Sequence, residues 1–349
     1  MSGGPDGQDE TGRNKGMSGR ALHGIRVVDL SESVAGQYCS RLFADFGASV
    51  TLIEPPGGSA MRRKGPFSAT TGASLTFLHL NSGKSSVVLG ASSAELQALA
   101  ASADVAILPN AERSALPFPA TTITVDISDF GREGPRAGWR GPEIVIQALS
   151  GMMFNNGADG REPLYGCGER SSYAAGVAAY IGALAALLAR GADGPGQHVE
   201  ISAAETAVAM GFPFPFQHIY SGTLRRRADI TNPCGQVLCR DGWVCIWIYN
   251  HRWTRFCETV GLGHLIDDER FTDPVIRRRN WAALFAIIQA RLAGEDAEAL
   301  VDKLQRADII LHRRRRACLR ARRLGAGPGH QPLAGPAGKP GAHLSVHRS

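Results

Sequence analysis

Short runs of β-branched residues recur along the first 130 positions with helix-forming or turn segments between them, and this alternation restricts the chain to very few folds. The first is GIRVVDL at 24–30, a β-branched run of the kind that fills a parallel strand covered on both faces. SVTLIEP, SSVVL, DVAILP and TTITVDI follow in turn, and ELQALAASA lies between two of them as a helix. Strands that alternate with helices predict a doubly wound α/β sheet. Between the first two strands, residues 31–36 turn the chain into a helix that carries Tyr38, Leu42, Phe43 and Phe46 on one face and stops at Gly47.

In such sheets ligands sit beyond the carboxyl ends of the strands, so residues 32–36 and 55–64 are the candidate site loops. No G-x-G-x-x-G follows the first strand, which removes the dinucleotide fingerprint. Arg62, Arg63 and Lys64 make the second loop cationic. Such a trio either holds phosphate through charge-assisted hydrogen bonds or forms a solvated surface, and the residues themselves leave both open.

With 349 residues, 44% of them hydrophobic, the chain is long enough for two domains. The formal charge of +6 does not describe the folded part, because residues 311–349 hold nine of the 38 basic residues and none of the 32 acidic ones. Without that tail the chain is net acidic, and no nucleic-acid partner is expected. The seven cysteines form no C-x-x-C and have no His-x-His beside them, so no metal site is expected. Residues 1–20 carry no apolar h-region, and the most apolar stretch, 173–189, is rich in Ala and Gly and ends at Arg190. A cytoplasmic location with no membrane partner follows as the expectation.

The chain's most specific stretch is GREPLYGCGERSSYAAGVAAYIGALAALLARGADGPGQHVEIS, residues 160–202. Its lead runs from Pro163 to Cys167, and a small-residue helix closes at Leu188 and Arg190 before Gly194, Gly196, Gln197, Val199 and Ser202. GIRVVDLS, ADFGASVTLIEPPGG, LNSGKSSV, ASADV, FGREGP and QALSGMM precede it in order. Together these resemble the class III CoA-transferase family, which includes formyl-CoA and carnitine CoA-transferases and their relative α-methylacyl-CoA racemase.

The resemblance implies a Rossmann-like CoA-binding large domain over 21–225, a smaller α+β domain over 226–310, and an interlocked dimer. It implies acyl-CoA and a carboxylic acid as the small-molecule substrates, with coenzyme A as the carried group. Val34 and Ala35 then fall where the family's backbone meets the CoA pantetheine or pyrophosphate. Arg62 matches the basic residue after the second strand, and Asn81 and Lys84 match the L-N-x-x-K segment near the adenosine end. The family's catalytic aspartate, four residues before Gly176, is replaced by Ser172.

That replacement changes the expected chemistry. A carboxylate attacking a thioester forms an anhydride that a second acid can convert, whereas a serine gives only an ester, and no histidine partner for Ser172 is visible. Glu169, three residues upstream, is the nearby carboxylate that can substitute, given a shift in the helix start. The segment GPEIVIQALSG has Pro142 and Glu143 but lacks the histidine of the racemase members, and Gln147 gives it the transferase form. Racemization needs a base on each face of the α-carbon, so that branch is disfavoured.

In the second half, residues 234–247 predict a hairpin turning at Asp241-Gly242. Helices are expected over 251–262, 280–293 and 296–306, with Trp243, Trp247 and Trp253 in the core. Residues 1–20 are expected to be a disordered leader, and 311–349 a disordered basic tail whose composition resembles an out-of-frame reading from about residue 309, or alternatively a nucleic-acid or membrane patch. Three functions follow: an acyl-CoA transferase; a non-catalytic CoA-binding subunit of a heteromeric or fused enzyme, making the partner a homodimer copy or a related subunit; or a degenerate, inactive product.

Overall fold

The computed structural model describes residues 19–109, 116–157, 160–192, 194–211, 214–224, 227 and 234–313. The expected leader up to residue 18 and the tail from 314 lie outside the described residues. The chain divides into two units, Met1–Asp229 and Ile230–Ser349.

The first unit is built on β1 (Arg26–Asp29), β2 (Ser49–Glu54), β3 (Ser85–Val88), β4 (Val105–Ile107), β5 (Ile123–Ser128) and β6 (His198–Ser202). They form a parallel six-stranded sheet in the order β3-β2-β1-β4-β5-β6. This is the doubly wound α/β sheet expected from the alternation of strands and helices. The order reverses between β1 and β4, the switch point beyond whose carboxyl ends such sheets bind their ligands. Val27, Val105, Ile107, Ile123 and Val125 are buried, as a sheet covered on both faces requires.

The helices of this unit are α1 (Val34–Asp45), α2 (Leu75–Leu80), α3 (Ala94–Ala101), α4 (Glu143–Leu149), α5 (Arg170–Arg190), α6 (Ala203–Met210) and α7 (Phe214–Ser221). Ser33 starts α1 by accepting the Gly36 amide at 3.1 Å, and Gly47, at φ 100°, lets the chain reverse after it. The buried stripe is Ala35, Cys39 and Phe43. Phe46, expected inward, lies off this stripe, half exposed, and stacks on Tyr180 with ring centroids 5.9 Å apart.

By length and composition α5 is apolar enough to cross a membrane. Its Ala175, Ala179, Ala183 and Ala186, spaced one turn apart, are instead buried in the same core as the sheet. Small residues let it approach α1 closely. A Cβ built on Gly176 would stand 2.6 Å from the Ala35 carbonyl oxygen, so backbone meets backbone there.

The second unit pairs β7 (Cys234–Cys239), β8 (Gly242–Trp247) and β9 (Ile310–Arg313) as an antiparallel sheet, β7-β8-β9. The hairpin turn consists of Arg240 and Asp241, with Gly242 already paired to Cys239. Order continues past residue 310, since β9 adds a strand as far as Arg313. The remaining helices are α8 (Trp253–Val260), α9 (Pro274–Arg279), α10 (Trp281–Leu292) and α11 (Ala297–Arg306). Trp253, Phe256 and Val260 are buried as expected. Trp243 and Trp247 are not: the strand period of two points Val244 and Ile246 inward and turns both tryptophans outward, 40% and 37% exposed.

Candidate active site

At the carboxyl end of β1 a buried polar network fixes α1. Asp29 accepts the Ser31 amide at 2.9 Å and the Ser31 hydroxyl at 2.6 Å, and its second oxygen takes the Ser40 hydroxyl and the Lys84 ammonium, the latter at 3.2 Å. Lys84 also donates to the Gln37 carbonyl, the Ser40 hydroxyl and Asn81 Oδ1 at 2.7–2.8 Å. Asn81 Nδ2 in turn reaches Gln37 Oε1 at 2.8 Å. The Lys84 side chain is 1% exposed and Asp29 is fully buried. Burial pushes the Lys84 ammonium below its usual range against the attraction of Asp29. The structure therefore brings Asn81 and Lys84 together beneath α1, with the amine occupied by protein acceptors.

Gln37 extends this network to the loop after β2 by donating to Ser59 Oγ at 3.1 Å. Ser59 gives its amide to Glu54, and Arg62 grips the same carboxylate with two hydrogen bonds of 2.6 Å. The Arg62 guanidinium also lies 4.0 Å from the centroid of the Phe77 ring. The bond from Arg62, against the opposing effect of burial, holds the Glu54 carboxyl down at about 2. Arg62 thus folds inward onto the end of β2. Val34 and Ala35 open α1, where an α-helix leaves its first amides without intrahelical partners.

The start of α5 gathers the acidic groups. Glu169 is its N-cap residue but makes no side-chain capping bond. The cap comes from Glu143 at the start of α4, which accepts the Ser171 amide at 2.7 Å and the Ser172 amide at 3.1 Å. A carboxylate at this end also complements the helix dipole. Glu143 further accepts the Ser172 hydroxyl at 2.9 Å and Gln147 Nε2 at 2.8 Å. Burial works to raise the Glu143 carboxyl, but bonds from Ser171, Gln147 and Ser172 outweigh it and keep it below the usual range. Gln147, almost fully buried, clamps the segment leading into α5 by exchanging two bonds of 3.1 Å with the Gly166 backbone.

Glu169, freed from capping, has one oxygen 3.4 Å from the Ser172 hydroxyl and the other 2.7 Å from the Lys64 ammonium. Ser172 therefore sits between two carboxylates, and Glu169 reaches it with α5 beginning at Arg170; no shift of the helix start is needed. Two members of this constellation escaped the sequence reading. Glu143 stood out only as a residue where racemases have another type, and Lys64 only as part of a cationic trio. Separations of 29 and 105 positions from Ser172 and Glu169 leave no local signal for either.

Residues 22–317 match the family described as CoA-transferase family III. Among curated relatives, an acetyl-CoA:oxalate CoA-transferase of Acetobacter aceti is 29% identical over 313 residues, covering 82% of this chain and 78% of that protein. A succinyl-CoA:(R)-benzylsuccinate CoA-transferase subunit of Thauera aromatica is 27% identical, covering 74% and 70%. Among solved structures, a CAIB/BAIF family protein from Brucella suis superposes with a TM-score of 0.73 at 26% identity, covering 84% of this chain and 83% of that one.

Proposed function

The chain belongs to CoA-transferase family III and moves CoA between an acyl-CoA thioester and a carboxylic acid, and from that premise we propose that its exchange runs through the carboxylate of Glu169. The observation that carries this reading is the Glu169 oxygen 3.4 Å from the hydroxyl of Ser172, the residue at the family's aspartate position. Glu169 is part-exposed and free of the helix cap. Glu143 is the weaker nucleophile, because both its oxygens are occupied by amide and hydroxyl donors that stabilize its charge.

In this reaction the Glu169 carboxylate attacks the thioester carbonyl, the C–S bond breaks, an acyl–glutamyl anhydride forms and CoA leaves as the thiolate. The acceptor carboxylate then attacks the Glu169 carbonyl carbon, the first acid departs as its carboxylate, and the second acyl group remains on Glu169. Attack by the CoA thiolate on that acyl carbonyl yields the new thioester and restores Glu169. Ser172 stays a hydrogen-bond donor between the two carboxylates. Val34 and Ala35 serve CoA through the open amides of α1, while Asn81, Lys84 and Arg62 act by holding α1 and the β2 loop.

The test is label exchange between acetyl-CoA and free acetate, with hydroxylamine to trap the anhydride. Glu169→Gln is expected to lose exchange by about a thousandfold or more, and the wild-type hydroxamate should map to Glu169. Exchange that survives this substitution would sink the reading. A second reading, a subunit whose companion supplies the aspartate, is favoured by Ser172 together with the Thauera relative's being named a subunit. Wild-type protein that binds CoA yet exchanges nothing alone would support it.

A further inference from the structure

We propose that Lys64 is the group that receives the acceptor acid's carboxylate once Glu169 has been acylated, an inference that rests on the reading of Glu169 as the nucleophile. The cationic loop after β2 divides its labour. Arg62 is bound to Glu54 and covers Phe77, and Arg63 turns back to the Gly57 carbonyl at 3.4 Å. Lys64 points the other way, to the start of α5.

Its backbone is held in place for that task. The Lys64 carbonyl accepts the Ser74 hydroxyl, the Gly65 carbonyl accepts Thr76 Oγ1 at 2.7 Å, and the Pro66 carbonyl accepts the Leu75 amide at 2.8 Å. Three successive carbonyls are thereby fixed to the first turn of α2, and the ammonium is carried on a braced segment. Its side chain and that of Glu169 are 36% and 29% exposed, so the pair is open to a small solute.

Charge conservation supplies the remaining step. In the resting protein Lys64 binds a carboxylate, that of Glu169, at 2.7 Å. Acylation turns that carboxylate into a neutral anhydride, and its charge departs on the CoA thiolate. The ammonium is left beside an uncharged carbonyl with the reach and geometry for one carboxylate oxygen. The next reactant is itself a carboxylate, and it must come within bonding distance of the Glu169 carbonyl carbon. Lys64 would therefore exchange one carboxylate for another of the same chemistry and bring the acceptor to the carbon it attacks.

Glu169→Gln imitates the neutral, acylated state without any chemistry, so the test is equilibrium binding of sodium acetate and sodium glutarate to the full chain, followed by NMR titration at constant ionic strength. Acetate and glutarate should bind Glu169→Gln about tenfold more tightly than wild type, the effect of one exposed charge-assisted bond. Adding Lys64→Met should remove the gain, and Lys64→Arg should keep most of it. Glu169→Ala provides a second neutral site with the same expectation. Equal binding by wild type and both neutral variants overturns the proposal, as does a gain that persists with Lys64→Met. A further arm titrates CoA: a gain seen with CoA thiolate but not with acetate would assign Lys64 to the leaving group and overturn the acceptor role. Because binding is read without turnover, loss of this effect is separable from loss of exchange in Glu169→Gln.

Discussion

Replacing Lys84 with Met removes the ammonium from beneath α1 and leaves its acceptors stranded. Asp29, fully buried, keeps the Ser31 and Ser40 donors but loses its counter-charge, while the Gln37 carbonyl and Asn81 Oδ1 each lose a bond of 2.8 Å. Breaking one partner out of a buried pair costs about 3–5 kcal/mol, most of it the uncompensated charge. For a domain of roughly 200 residues this lowers the melting temperature by about 6–20 °C. Adding Asp29→Asn removes that charge and should return at least about 1 kcal/mol, so the double variant melts above the single one. Differential scanning calorimetry of the wild type, both single variants and the double variant supplies the cycle. A Lys84→Met melting point within about 2 °C of wild type, or additive single effects, would refute the view that this pair holds α1.

Two other variants probe neighbouring parts of the same framework. Glu54 ionizes at about 2 in the fold instead of 4.5, so it contributes stability that is complete above about pH 4.5 and lost as pH falls toward 2. With Arg62 half exposed, solvent screening trims this to about 2 kcal/mol; Arg62→Met should flatten melting temperature against pH across that window, and an unchanged acid limb would count against the pair. Gly176→Ala sets a methyl 2.6 Å from the Ala35 carbonyl and 3.2 Å from Tyr38 Cβ. It should destabilize by about 1–3 kcal/mol despite alanine's better helix propensity, and a rise in stability on urea unfolding would show that α1 and α5 have room to spare.

The sequence by itself determined the sheet and the family. Runs such as IRVVDL and TTITVDI are dense in β-branched residues, as a strand covered on both faces favours, and their alternation with helices left little choice but a doubly wound sheet. Some helix ends were equally local: Gly47 marks the stop of α1 because its positive φ is accessible to glycine, and Asp296 starts α11 with its own side chain, whereas Gly261 ends α8 inside the span 251–262 read as one helix.

Only the tertiary structure decided what stands around Ser172. Glu169 is left without the cap of its helix because Glu143 arrives from α4 and takes it over. Which partners Arg62, Asn81 and Lys84 take depends on the buried acceptors the sheet sets opposite them: Glu54 for Arg62, Gln37 for Asn81 and Asp29 for Lys84. Hydrophobic periodicity writes the core into local sequence, because burial follows the period of each element. The partner of a charged side chain is set across the fold, by groups whose separation along the chain carries no information about their distance in space.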